Sequence, residues 1–260
     1  MRPALSAIAA QQSKPTEKTW KQLLHFLDYA ATHPSSTVRF YASNMILNVH
    51  SDASYLTEPK ARSRIGGHFF LGSLPQTNQS IHLNGTIATV CSILKHVASS
   101  AAEAELGALF HNSREAKIIR QILHDMGYPQ PPIPIYCDNS TATSIVNNQI
   151  KHNRCRVMDM RYFWVVDQSN QKFIKVEWHP GLENLADYFT KHFPKLHHIR
   201  MRHIYLHTPF SPRYLPRALP PAALRGCAKT PDKSIQSSLP SKARVRTITN
   251  TYPYNKIRTK

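Results

Sequence analysis

The sequence of 260 residues is short of three things: long apolar runs, paired cysteines and acidic side chains. No stretch approaches the about 18 consecutive apolar residues of a membrane span, and the opening MRPALSAIAA is too short in apolar residues for a signal peptide. The four cysteines form no C-x-x-C pair, which argues against a paired-cysteine motif and favours reduced thiols. We therefore expect an intracellular protein, cytoplasmic or nuclear, with no membrane partner.

The acids are scarce and unevenly placed. The chain has 33 Lys and Arg against 15 Asp and Glu, a formal net charge of +18. Residues 195–260 hold 14 of the basic side chains and a single acid, Asp232. A basic extension on a mildly basic body favours a polyanionic partner, most often nucleic acid. The alternative is that the extension only keeps the chain soluble.

The pattern of apolar residues predicts an α/β fold. Three β-rich segments precede a long amphipathic helix, after which strands and helices alternate. We predict a mixed five-stranded sheet with helices packed on it. The predicted strands lie in 45–55 (ending at Ser51-Asp52), 65–73, 85–94, the segment ending at Asp138, and 172–180. The predicted helices are 16–34, 99–127, 141–148, 157–169 and 182–193.

Three regions follow from this reading. Residues 1–40 form an N-terminal helical segment, 41–194 the α/β domain, and 195–260 a basic extension rich in Pro, Arg and His, mostly disordered from about 211. The histidines of 192–207 lack the Cys/His spacing of a zinc site, so a surface that faces nucleic acid is favoured there.

The stretch PIPIYCDN ends an apolar strand on an acid, Asp138. A carboxylate at that point lies at the sheet edge where open α/β sheets place their ligands. The simpler interpretation is that Asp138 caps the helix that starts near Thr141, because Asp is a favoured N-cap residue.

Three other acids occupy comparable places. Asp52 ends the first predicted strand, whereas Glu105 and Asp187 lie in the first turns of predicted helices. Carboxylates about 4 Å apart repel one another unless cations neutralise them, and hard oxygen ligands suit Mg²⁺ or Mn²⁺. Two such ions about 4 Å apart can support phosphodiester hydrolysis. The four acids therefore predict a divalent-metal site.

Five motifs in order carry a family resemblance: HSDASY, SSAAEAEL, YCDN, KHNRCRVMDMRYFWV and NLADYFTK, over roughly residues 45–193. Together they resemble the ribonuclease H region of copia-type retrotransposon Pol polyproteins, and residues 6–34 resemble the segment that joins reverse transcriptase to it. The resemblance implies a ribonuclease H-like fold and two Mg²⁺ ions, replaceable by Mn²⁺. It also implies cleavage of the RNA strand of RNA–DNA hybrids, a neighbouring reverse-transcriptase domain and, in the cytoplasm, a virus-like particle.

Carried over by residue, the family's acidic set falls on Asp52, Glu105, Asp138 and Asp187. Glu103 competes with Glu105, but two positions along a helix point it roughly 200° away, so we expect Glu103 to be solvated. The resemblance also implies that His179 assists product release. Substrate contacts are expected from Asn139, His152 and Arg154, for which a solvated basic turn at 152–154 is the alternative.

No polymerase motif of the Y-V-D-D type is present, so we expect no polymerase activity. Two alternatives to an active ribonuclease H stay open at this point. One is a catalytically inactive remnant that still binds nucleic acid, and the other is a different nuclease or a transposase of the same fold class.

Overall fold

The computed structural model describes residues 2–74, 82–148 and 156–207, with the side chains of 156–159 excepted. His152, Arg154 and the predicted disordered tail from about 211 lie outside these residues. The helices are α1 (Arg2–Ala9), α2 (Glu17–Thr32), α3 (Ala101–Asp125), α4 (Ser140–Val146), α5 (Arg156–Asn170) and α6 (Lys195–Tyr205). The strands are β1 (Ile46–Glu58), β2 (Arg62–Gly72), β3 (Thr86–Ile93), β4 (Ile133–Cys137) and β5 (Ile174–Trp178).

The strands form one mixed sheet in the order β3-β2-β1-β4-β5. β1, β2 and β3 pair antiparallel as a meander, whereas β4 is parallel to both β1 and β5. A short connection, residues 59–61, is enough to join antiparallel β1 and β2, whereas the parallel strands require the longer crossovers that α3 and α5 provide. The predicted mixed five-stranded sheet is confirmed.

The register of β1 against β4 places two predicted acids side by side. Ser51 pairs with Cys137, so Asp52 and Asp138 each follow the last paired position of neighbouring strands. β1 does not end at Asp52 as expected. It runs on to Glu58 because Asp52 still pairs with Gly66 of β2, and only its partnership with β4 stops there.

The two faces of the sheet bury different sets of side chains. α3, α4 and α5 cover the larger face, whose core includes Leu47, Val49, Leu109, Ile135 and Val165. Phe70, Tyr136 and Leu185 make a smaller cluster on the opposite face, against which Ile204 and Tyr205 of α6 pack. Because strand side chains alternate between faces, β2 and β4 contribute to both clusters.

The N-terminal helix α2 forms as the sequence predicts. Thr16 caps it, since the Thr16 hydroxyl accepts a hydrogen bond from the Thr19 amide at 3.2 Å, and the helix ends just before Pro34. Its apolar stripe is largely exposed to solvent, with Trp20 58% and Leu27 51% accessible. Among the described residues, no helix combines the length and the apolar character needed to cross a bilayer.

One prediction for the end of the domain is wrong, and one helix was not predicted. The expected helix over 182–193 is instead a pair of 3₁₀ turns, Gly181–Glu183 and Asp187–Phe189. The Asn184 side chain separates them, because it donates to the Ser51 carbonyl and accepts from the Ala186 amide. The sequence analysis also missed α6, whose Tyr205 hydroxyl donates to the Leu185 carbonyl at 2.5 Å. The packed chain therefore continues past 194.

Candidate metal centre

The structure brings the four predicted acids together in two overlapping groups. Ligand oxygens of Asp52, Asp138 and Asp187 lie within 4.8 Å of one another. Glu105 and Asp138 form a second group of the same spacing, with the Cys137 sulfur as its third atom. Asp138 belongs to both groups, so it is the centre of the cluster.

Asp138 is not the helix cap. The next residue, Asn139, caps α4, and its side-chain oxygen accepts a hydrogen bond from the Ala142 amide at 2.9 Å. The backbone around Asp138 is held by β5, because Trp178 Nε1 donates to the Asp138 carbonyl at 3.0 Å and the His179 amide to the Cys137 carbonyl at 2.9 Å. The Asp138 carboxylate is therefore not used as the helix cap and can bind a metal ion.

Glu105 reaches the cluster from the first turns of α3. Ser100 caps this helix by accepting from the Glu103 amide, and Glu105 Oε1 accepts from the Ala53 amide of β1 at 3.1 Å. The preference for Glu105 over Glu103 agrees with this geometry. Glu103, however, is buried rather than solvated, because its carboxylate accepts from the Ser99 amide at 2.5 Å and from the Ser99 hydroxyl.

The second 3₁₀ turn supplies Asp187 and two further groups that the sequence analysis missed. The Thr190 hydroxyl donates to Asp52 Oδ2, and the Lys191 ammonium donates to Asp187 Oδ1. Both residues belong to the motif NLADYFTK, at three and four positions after Asp187. That spacing places side chains beside Asp187 in any helical turn, so it could have revealed them.

Burial and repulsion between carboxylates make Asp52, Glu105 and Asp138 reluctant to ionise. Desolvation first, and then Asp187, raise the pKa of Asp52 to about 6, against the opposing charge of Lys191. Burial, followed by Asp52 and Asp138, raises the pKa of Glu105 well above its usual value. Burial likewise raises the pKa of Asp138. Negative charge is thus concentrated where water cannot disperse it.

The donor set fits Mg²⁺ or Mn²⁺. Four carboxylates from separate elements converge, and oxygen ligands are those that hard divalent cations select. The thiol of Cys137 does not alter this, because burial raises its pKa well above the usual value and keeps it protonated. The Lys191 ammonium already provides one positive charge among the carboxylates. Burial lowers the pKa of Lys191, but the charges of Asp52 and Asp187 outweigh this effect and raise it.

Gly181 lies directly beside the Asp138 carboxylate. A Cβ atom at this glycine would lie 2.7 Å from Asp138 Oδ2, closer than real Cβ contacts. The first 3₁₀ turn can pass this close to the carboxylate only because residue 181 has no side chain.

The remaining predicted site residues lie elsewhere. His179 follows β5 at the same edge, but its Nε2 lies 3.0 Å from Glu183 and its ring contacts Tyr136 and His50. Within the described residues it is outside both ligand groups. Asn139 is engaged as a cap, and His152 and Arg154 lie outside the described residues. Their substrate roles, like the product-release role of His179, stay predictions.

The mixed five-stranded sheet and the helices packed on it form the ribonuclease H-like fold that the sequence predicts. No protein-family model matches the chain. It is similar to curated retrovirus-related Pol polyproteins, which confirms the resemblance to the copia type. It is 26% identical over 195 residues to that of transposon TNT 1-94 from Nicotiana tabacum, covering 74% of this chain and 14% of the tobacco protein.

Two further proteins are similar to this chain. The Pol polyprotein of transposon RE2 from Arabidopsis thaliana is 26% identical over 192 residues, covering 72% of this chain and 12% of that protein. This chain thus spans only a small part of the curated relatives it matches. Among solved structures, the N-terminal RNase H domain of a Mycobacterium tuberculosis protein is 14% identical, with a TM-score of 0.40; it covers 56% of this chain and 91% of that one.

Proposed function

We propose that this chain is a ribonuclease H that hydrolyses the RNA strand of RNA–DNA hybrids with divalent metal, within retrotransposon reverse transcription. The observation that carries the proposal is the convergence of Asp52, Glu105, Asp138 and Asp187 from four separate elements. Their order along the chain and the similarity to retrotransposon Pol polyproteins support the same activity.

Two Mg²⁺ ions are the proposed cofactor, replaceable by Mn²⁺. The carboxylates of Asp52, Glu105, Asp138 and Asp187 would hold them. When bound, such ions supply an activated water and stabilise the leaving oxygen. The chain's own part is to hold the oxygens in place, through the Ala53 amide on Glu105 and the Thr190 hydroxyl on Asp52.

The proposed setting follows from the relatives. A reverse-transcriptase domain of the same polyprotein would deliver the hybrid, and the basic extension, residues 195–260, would hold nucleic acid by its charge. The activity would then belong in the cytoplasm, inside a virus-like particle, or in the nucleus. Polymerase activity is not proposed for this chain.

The deciding experiment is cleavage of an end-labelled RNA–DNA hybrid by the full chain in Mg²⁺, in Mn²⁺ and in EDTA. We expect loss of the RNA strand in both metals and none in EDTA. Double-stranded DNA and single-stranded RNA serve as matched substrates and should be spared.

Other outcomes separate the alternatives. Tight hybrid binding without cleavage in either metal would favour an inactive remnant that binds nucleic acid. Metal-dependent cleavage of double-stranded DNA, with the hybrid spared, would favour another nuclease of the same fold class.

A further inference from the structure

Three residues lie side by side across the sheet beneath the second 3₁₀ turn. Gly66 of β2 pairs with Asp52 of β1 and with Cys91 of β3. Residues that pair directly across strands present their side chains on the same face of a sheet. Gly66 has no side chain, and a Cβ there would lie 2.7 Å from both the Ala186 carbonyl oxygen and Thr190 Cγ2. The turn therefore rests on Gly66, between Asp52 and Cys91.

Both flanking side chains hold this turn by hydrogen bonds. On one side the Thr190 hydroxyl donates to Asp52 Oδ2. On the other side the Cys91 thiol donates to the Phe189 carbonyl at 3.2 Å. Asp187 begins the same turn, so the thiol helps to position one of the four acids of the carboxylate cluster.

A buried guanidinium group lies beside the Cys91 sulfur. Arg64 is 0% exposed, and its Nη1 donates to Cys91 Sγ at 3.4 Å. Its Nε donates to Glu58 Oε1 at 2.6 Å. Nη2, the second nitrogen at the end of the guanidinium fork, is buried and has no hydrogen-bond partner in the described part of the chain. Because an unpaired buried donor is costly, an acceptor placed beside the sulfur would be stabilised there.

Cys91 is also within reach of small molecules in solution. It is a partly buried free thiol on β3, the strand at one edge of the sheet. The other free thiol among the described residues, Cys137, is fully buried in the core. Accessible thiols beside an arginine are the kind that peroxides oxidise. Cys91 thus combines access with a neighbouring cation and an unpaired donor.

We propose that Cys91 is a site of oxidation by hydrogen peroxide, and that Arg64 holds the resulting sulfenic acid. The sulfur attacks one peroxide oxygen, an S–O bond forms and the O–O bond breaks. The sulfur is oxidised by two electrons and the peroxide is reduced. The thiol proton leaves with the departing hydroxide as water. The oxygen added to the sulfur accepts a hydrogen bond from Arg64 Nη2, the donor that is unpaired in the reduced protein.

This oxidation removes a bond that holds the second 3₁₀ turn. A sulfenic acid has no S–H group, and its oxygen is drawn toward Arg64, so the bond to the Phe189 carbonyl is lost. Of the two side-chain bonds described above, only that of Thr190 then remains. Asp187 is held less firmly, and the oxidised protein should bind divalent metal more weakly. This consequence rests on the proposed function, whereas the oxidation itself does not.

The first test is mass spectrometry of the full chain after treatment with hydrogen peroxide and dimedone, which labels sulfenic acids. We expect Cys91 to be labelled severalfold faster in the folded protein than in the same chain unfolded in urea, and Cys137 to be labelled more slowly. Arg64→Lys keeps the charge but lacks the fork, so it should lower the labelling of Cys91. Arg62→Lys is the matched control on the same strand, because Arg62 donates to the Leu94 carbonyl and not to sulfur.

The second test is calorimetric titration with Mg²⁺ before and after peroxide treatment, and again after reduction with dithiothreitol. The Mg²⁺ affinity of the parent should fall severalfold on oxidation and recover on reduction. Cys91→Ser keeps a hydroxyl that can donate to the Phe189 carbonyl but cannot form a sulfenic acid. The affinity of this variant should not respond to peroxide.

Labelling of Cys91 that is no faster in the folded chain than in urea would overturn the proposal. Equal labelling in Arg64→Lys and Arg62→Lys would overturn the part assigned to Arg64. If Arg64→Lys melts at a lower temperature, the comparison of folded with unfolded parent decides instead. If the parent binds no Mg²⁺, the proposed function fails, but the labelling still decides the oxidation. Melting in EDTA then tests the turn, since the oxidised parent should melt below peroxide-treated Cys91→Ser.

Discussion

Two parts of the molecule gather like charges in a small volume. One is the carboxylate cluster, and the other is a cationic cluster in which the guanidinium groups of Arg114 and Arg161 lie against the Phe110 ring. The acids are deep: Asp52 is 1% and Glu105 5% exposed. The cations are shallower, with Arg114 on the surface and Arg161 half-buried. A small divalent ion needs desolvated oxygens that converge on one point, whereas a nucleic-acid backbone needs cations that it can reach from outside.

Their internal compensation differs as well. The carboxylate cluster contains its own cation, Lys191, whereas the cationic cluster has an aromatic ring in place of an acid. Burial therefore decides how much compensating charge each cluster needs. Repulsion between buried acids is strong enough to shift their pKa values, whereas water screens the exposed arginines.

The largest effect should come from the residue shared by both ligand groups. Asp138→Asn should reduce hybrid cleavage by more than about 100-fold, because even groups behind the ligands typically account for 10–100-fold. The fold should persist, since Asn139 makes the cap. Initial rates and thermal melting measure the two effects. Asp125→Asn, the same change at the far end of α3, should behave like the parent, and near-parent turnover of Asp138→Asn would contradict the site.

A smaller effect should come from crowding the same carboxylate. Gly181→Ala places a methyl group 2.7 Å from Asp138 Oδ2, so the carboxylate has to move. We expect a loss of about tenfold in both cleavage and Mg²⁺ affinity, at the low end for disturbed ligand positioning. Leu182→Ala, which truncates the exposed neighbour, is the control. Equal activity of the two variants would show that Asp138 tolerates displacement.

The metal-free stability should depend on pH through Asp52. Its pKa is raised from 3.8 to about 6, so the folded form keeps a proton that the unfolded form releases. Stability from this group is therefore present below about pH 4 and is lost as the pH rises to about 6.

Urea unfolding in EDTA at several pH values tests this. The stability of Asp52→Asn relative to the parent should grow with pH over this window, by on the order of 1 kcal/mol. The comparison between variants matters, because buried His50 and His68 have lowered pKa values and shift stability in the opposite direction. A difference that stays constant with pH would contradict the raised pKa.

The smallest effect should come from the internal cation. Lys191→Met removes a positive charge that competes with metal, so Mg²⁺ should bind roughly threefold tighter, a modest change because the side chain is 44% exposed. Without metal the variant should melt at a lower temperature than the parent. Calorimetric titration with Mg²⁺ and melting in EDTA provide the two readouts, with Lys195→Met as the control. Weaker Mg²⁺ binding would show that Lys191 supports the metal instead.

The sequence predicts the carboxylate cluster better than it predicts the boundaries of the strands and turns that form it. Strand-end acids and a helix-start glutamate are local patterns, and parallel pairing of β1 with β4 converts them into proximity. The exact ends of these elements are harder to predict. β1 passes through Asp52 because its antiparallel partner continues, and Asn184 divides the segment before Asp187 by bonding to a strand 133 residues away. Such long-range bonds have no local signature.

The same limit explains α6 and the cationic cluster. α6 is held by Tyr205 against Leu185 and by ring contacts with Tyr188, which a histidine-rich, weakly periodic segment does not reveal. Arg114 and Arg161 are 47 positions apart, and only the packing of α5 on α3 places them on one ring.

Because Asn139 caps α4 and Asp138 does not, residue 138 can be substituted in a design without loss of the cap. The start of α4 depends on residue 139 and the backbone on β5, so the donor atom at 138 can be exchanged with the scaffold retained. Histidine there would make an all-oxygen set a mixed nitrogen–oxygen one, and the preference should move from Mg²⁺ toward transition metals. A single substitution would then determine which metal ion binds at this edge of the sheet.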